Sequence, residues 1–207
     1  MSTAAIDLGP LRDALVAELV RPPLSAGEAA REVARVAELV AAANGEQSPF
    51  DATHHPATRH LAEAVEGTRR YAPALAAALR PLAQALPWRY GYAPRADIPG
   101  LERDMAWAEI VGPAAPFRNS QVCLGLTLIG PHTHYPAHRH PAVEAYRVVN
   151  GTARWTAGDR AAPQQAGALI LHPSELSHAM LTGAEPLLAV YSWTGDVDSP
   201  SIWENAA

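Results

Sequence analysis

Cysteine is almost missing from this chain of 207 residues. Cys123 stands alone, so no internal disulfide can form and the fold has to be held by packing. Long apolar runs are missing too. No stretch approaches the roughly 20 residues of a bilayer crossing. The start, MSTAAIDLGPLRDALVAELV, lacks the charged end and unbroken apolar centre of a secretory leader, so a soluble, cytoplasmic protein without membrane contact is expected. There is no basic run and no internal repeat. With a formal net charge of -5 the chain offers no clustered cationic face for phosphates, and no nucleic-acid partner is expected. What is present is 48% hydrophobic residues, enough for a sizeable core.

The first half is patterned for helices. Leu8, Leu11, Leu15 and Leu19 recur at helical spacing until Arg21-Pro22-Pro23 blocks continuation. Ser25 with Glu28 has the spacing of a capping box, and Ala29, Val33, Val36 and Val40 form an apolar stripe ending at Asn44-Gly45. A third helix is expected over Thr58 to Glu66, and a fourth, broken by Pro73 and Pro81, within Tyr71 to Leu86. His54, His55 and His60 fall in this half without a carboxylate or cysteine at ligand spacing, and are read as surface residues.

The helical signal stops at Leu86-Pro87, in a stretch rich in proline, glycine and aromatics. Short strand-like runs follow: MAWAEIVG, QVCLGLTLIG, EAYRVVNG, TARWTAG, GALILHP and PLLAVYSWTG. Cys123 lies in the second of them and reads as a small core residue. Asn150-Gly151 predicts a two-residue hairpin between its flanking runs, since a type I′ turn needs positive φ twice. The expected organisation is α+β: an N-terminal helical region over residues 1–90, then an antiparallel β-barrel or jelly roll over 91–207.

The residues with chemistry concentrate in His132 to Gly151 and Gly167 to His178. The first contains His138-x-His140-x3-Glu144-x6-Gly151, the second Gly167-x5-Pro173-x-Glu175-x2-His178. Strand alternation predicts that His138, His140, Glu144 and Tyr146 share one wall. Three imidazoles and a carboxylate suit one divalent metal ion, with zinc, iron, manganese, nickel and cobalt all admissible, and leave positions open for substrate. His132 and His134 form a competing pair without the following acid, and are placed at the rim of the pocket. His172 is read as supporting or solvent-facing. Tyr146 is either a proton-abstracting base or a core tyrosine, which spacing does not decide.

These segments resemble the two cupin motifs, the second having Glu175 where that family most often has glycine. The set Tyr135, His138, His140, Glu144, Tyr146, His178, Tyr191 and Trp193, behind an N-terminal block of helices, further resembles the cupin-type dimethylsulfoniopropionate lyases of marine bacteria. The resemblance implies a C-terminal cupin barrel, a metal held by His138, His140, Glu144 and His178, and Tyr146 as the catalytic base. It also implies that Tyr135 and Trp193 shape the substrate pocket, to which His134 and Tyr191 are added. The reaction implied is β-elimination of dimethyl sulfide, leaving acrylate. Trp193, Tyr135, Tyr191 and Trp155 are the candidate aromatic faces for a cationic sulfonium. Because the cupin scaffold hosts many reactions, an iron dioxygenase and a non-catalytic small-ligand sensor stay open as alternatives, as does a homodimer.

Overall fold

In the computed structural model, which describes residues 6–42, 45–93 and 95–204, the chain opens with α1 (Gly9–Leu19) and α2 (Glu28–Ala42). A 3-10 turn over Pro56–His60 runs into α3 (Leu61–Tyr71), followed by α4 (Pro73–Leu79) and a single-turn α5 (Leu101–Asp104). α1 buries Leu11, Leu15 and Leu19, one residue per turn, and stops before the two prolines. α2 buries Val33, Val36 and Val40 and turns Arg31, Arg35 and Glu38 to solvent. It begins at Glu28, so the capping box predicted from Ser25 does not form; its expected stop at Asn44 lies outside the described residues. His55, rather than serving as bare surface, caps the 3-10 turn by accepting from the Ala57 N–H at 3.2 Å.

The strands are β1 (Trp88–Arg89), β2 (Met105–Gly112), β3 (Phe117–Arg118), β4 (Val122–Ile129), β5 (His134–Arg139), β6 (Val143–Asn150), β7 (Thr152–Ala157), β8 (Arg160–Gln165), β9 (Leu169–His172), β10 (His178–Thr182), β11 (Leu187–Thr194) and β12 (Ile202–Trp203). They form two sheets. One has the order β1-β2-β4-β11-β6-β9, with β3 beside β2, and the other runs β12-β5-β10-β7-β8. All pairings are antiparallel except β2 with β3. Every strand-like run of the sequence contains one of these strands. β1, β3, β5, β8, β10 and β12 are additional.

The predicted hairpin at Asn150-Gly151 is not there. β6 pairs with β11 and β9, while β7 pairs with β10 and β8, so the chain changes sheet at this point. Gly151, at φ 77°, makes a corner where a Cβ would meet the Pro186 carbonyl oxygen at 2.5 Å, and Asn150 donates to that carbonyl.

The helices cover the outer face of the larger sheet. One apolar core joins Leu11, Leu15, Val36 and Leu75 to Leu124, Leu126, Leu128 and Val190, so every residue of β4 is buried. The second core lies between the sheets and contains the buried aromatics Tyr135, Tyr146, Trp155 and Tyr191. Arg147, on the helix-facing side of β6, donates to the carbonyls of Leu19, Arg21 and Gly167 and lies close to buried Glu18. Arg147→Leu leaves three carbonyls without their charged donor, while Glu18 keeps its pair with Arg21, and is expected to lower unfolding free energy by about 2–4 kcal/mol. Urea denaturation checks this; a loss under about 0.5 kcal/mol would mean that the tie contributes nothing.

Candidate metal and substrate site

His138, at the end of β5, is in register with His178 at the start of β10, and their ring centroids are 4.0 Å apart. His140 follows β5 directly. Glu144 and Tyr146 belong to β6 in the other sheet. The single wall predicted from alternation is therefore replaced by two facing walls: residues 140–142 carry the chain across the barrel, bringing the carboxylate opposite the imidazoles. The Oε2 of Glu144 lies 3.1 Å from His140 Nε2 and 3.2 Å from His178 Nε2.

Backbone carbonyls fix the imidazoles. Nδ1 of His138 donates to Pro136 O at 2.8 Å, that of His140 to Ala142 O at 3.0 Å, and that of His178 to Leu176 O at 2.8 Å. With Nδ1 as donor, each neutral ring aims an Nε2 lone pair into the cluster. His178 Nε2 is buried without a hydrogen-bond partner among the described residues. A lone pair facing a carboxylate oxygen with no proton between them is unfavourable, and a cation there satisfies both. The donors thus suit a metal ion. They fall into two buried sets, His138, His140 and His178, and Glu144, His172 and His178.

His172 is distinguished by its own partners. Its Nε2 accepts from the Trp155 indole N–H at 2.9 Å, so the proton is on Nδ1, which donates to Glu144 Oε2 at 3.2 Å. It is fully buried rather than solvent-facing, and braces the carboxylate. Trp193 donates to Glu144 Oε1 at 2.7 Å and packs against His140 with centroids 4.3 Å apart and rings tilted by 34°. Glu175, at φ 63°, sits in the left-handed region, which explains why glycine suits this position of the motif, and pairs with Arg139.

Burial alone would raise the Glu144 carboxyl, but His140 and three imidazole contacts hold it well below the usual carboxylate range. Burial holds His138 well below the ordinary histidine value of 6.5 and His172 down to about 4. His140 moves up because Glu144 outweighs its burial. Two buried neutral histidines must take up protons on unfolding in acid, against one shifted the other way. Their contribution to stability is complete above pH 6.5 and is lost as the pH falls toward 4, amounting to about 3 kcal/mol for His172. The metal-free protein should accordingly show its urea midpoint falling between pH 6.5 and 4, whereas a flat midpoint would contradict these assignments.

The cluster opens into a cavity of about 210 Å³ lined in part by His138, Glu144, Tyr146, Tyr135, Tyr191 and Trp193. Tyr135 stacks on His138 at 4.1 Å and shares a 2.5 Å hydrogen bond with Tyr92. Tyr146 is buried beside Glu144 and Thr127, and burial, then the Glu144 charge, push its phenol well above 10.0. Trp155 does not line the cavity; it packs behind Tyr146, edge to face at 5.1 Å. Nor does His134, whose exposed side chain alternates to the outer face of β5, where with His132 it borders a separate depression. Tyr92, Trp107, Glu109 and Arg89 line the cavity and had not been singled out. The alternation Met105, Trp107, Glu109 within MAWAEIVG was the available signal for two of them.

No helix among the described residues is long and apolar enough to cross a membrane. Residues 28–189 match the family model described as dimethylsulfoniopropionate (DMSP) lyase. The putative DMSP lyase DddL of Cereibacter sphaeroides is 39% identical over 145 residues, covering 68% of this chain and 60% of that protein. The DMSP lyase DddQ of Ruegeria pomeroyi is 28% identical over 94 residues, 45% of this chain and 47% of that protein. The chain thus spans between 47% and 60% of the length of these curated relatives. The crystal structure of R. pomeroyi DddQ superposes with a TM-score of 0.74 at 22% identity, over 94% of this chain and 95% of that one. A chain from crystal structures of the DMSP lyases RdDddP and RnDddQII gives 0.68 at 23%, over 94% and 100%. At these identities the structural likeness establishes the shared fold.

Proposed function

The chain belongs to the DMSP lyase family, and from that premise we propose that it is a metal-dependent carbon–sulfur lyase cleaving DMSP to dimethyl sulfide and acrylate. The observation that carries this reading is a set of imidazole lone pairs and one carboxylate, converging from two sheets, with the Tyr146 phenol in the same cavity. His138, His140, Glu144 and His178 hold the ion; His172 and Trp193 fix the carboxylate. A divalent ion there would supply a Lewis acid for the substrate carboxylate and acidify the hydrogen on the adjacent carbon, and its charge would oppose the burial and the Glu144 charge that keep Tyr146 protonated.

Tyr146, as phenolate, takes that α-proton. The C–H electron pair becomes the Cα–Cβ double bond, the Cβ–S bond breaks, and its pair leaves on sulfur as dimethyl sulfide. No redox change is involved. Tyr135, Tyr191 and Trp193 enclose the substrate, and the tight cavity limits competing water. The proposed metal ligands all fall after residue 91; α1 to α4 clad the sheet behind them, while β1 (Trp88–Arg89) joins that sheet and brings Arg89 to the cavity.

The test is head-space detection of dimethyl sulfide after adding DMSP to chelator-treated protein reloaded with zinc, iron, manganese, nickel or cobalt. Equal amounts of dimethyl sulfide and acrylate are expected from at least one metal form, without oxygen uptake. If every loaded form is silent, this reaction is not the one the protein performs.

A further inference from the structure

The cavity has a second polar end. Glu109 lies in a row of register-paired residues that crosses the larger sheet as Glu109, Gly125, Tyr191 and Tyr146. Three strand spacings separate its ends, about 14 Å between backbones. Side chains close most of that gap. A Cβ at Gly125 would meet a Tyr191 ring carbon at 2.9 Å, so its absence lets the ring lie over the sheet. The ring centroid is 6.5 Å from that of Tyr146, and its hydroxyl donates to Glu109 Oε2 at 3.4 Å. One tyrosine ring therefore spans from Tyr146 to a partly buried carboxylate.

We propose that Glu109 is the counter-charge of a cation subsite, taking the sulfonium of a zwitterion whose carboxylate is bound at the histidine end. This rests on the lyase reading and adds to it a determinant of substrate choice. The two ends are electrically opposite: Nε2 lone pairs suited to a cation that recruits an anion, and, across Tyr191, a carboxylate flanked by aromatic residues. Trp107, two residues before Glu109, lines the same cavity and packs edge-on against Tyr92 with centroids 5.7 Å apart, giving a fixed positive charge π-faces as well as a full charge. Arg89, half exposed toward the rim, holds Oε2 at 3.3 Å, and Asp198 is exposed at the same rim. Burial pushes the Glu109 carboxyl up, and the Arg89 charge opposes part of that rise.

The test compares two ligands differing only in the tail charge, 3-(trimethylammonio)propanoate and 4,4-dimethylpentanoate, titrated calorimetrically into metal-loaded full-length protein. The native protein should prefer the cation by about tenfold or more. Glu109→Gln should bring that preference within about twofold while leaving the neutral ligand and metal content unchanged. No preference in the native protein overturns the proposal. So does a Glu109→Gln variant that keeps the ratio or weakens both ligands equally. Binding needs no turnover, so a shifted ratio without dimethyl sulfide release keeps the subsite and removes the reaction. An unshifted ratio with normal release does the reverse.

Discussion

Tyr146→Phe is expected to lower dimethyl sulfide release by about 10²–10⁴-fold, the range associated with losing a positioned base. The substitution deletes one oxygen. The ring keeps its edge contact with Trp155 at 5.1 Å and its neighbour Tyr191, and no imidazole moves, so metal content and unfolding midpoint should match the native protein. Tyr135 provides the contrast. Its hydroxyl is tied to that of Tyr92 at 2.5 Å and its ring covers His138, so Tyr135→Phe should raise KM more than it lowers kcat. Turnover by the Tyr146 variant within about tenfold of native would move the base elsewhere.

His178→Ala should leave protein that retains no stoichiometric metal after dialysis and releases no dimethyl sulfide. Both candidate donor sets contain this residue, and its Nε2 is a buried ring nitrogen without a hydrogen-bond partner among the described residues. The sets then separate. If His138 and His140 complete the centre, His138→Ala also loses the ion, whereas His172→Ala weakens binding by about 10–100-fold, as expected when a group that only orients a ligand is removed. The reverse outcome, metal lost from the His172 variant and kept by the His138 variant, would put the ion against Glu144 and His172. Elemental analysis of the three dialysed variants reads this directly.

Much of this site was legible because its signals are local. His138, His140 and Glu144 lie within seven residues, and the glycine and proline spacing around His178 encodes a turn that structure now shows at Glu175, φ 63°. What failed concerned sheet membership. Alternation along a strand says which residues share a face, but not that residues 140–142 cross the barrel, nor that Asn150-Gly151 turns between sheets instead of joining two paired strands. β8 escaped because it is an almost wholly exposed strand without apolar alternation, and β5 because Pro136 argues against a strand. Glu109 escaped for another reason: its partners Arg89 and Tyr191 are 20 and 82 residues away, and no spacing rule connects them.

The donors' origin on facing sheets gives the ion a mechanical role besides its chemical one. Glu144 hangs from the layer that the helices clad, His138 and His178 from the other, so an occupied centre would add a rivet between two slabs joined by side-chain packing, the Trp155–His172 hydrogen bond and the chain crossings. Resistance to heat and proteolytic nicking should therefore rise with occupancy, and a batch purified with half its complement should melt as two populations rather than one.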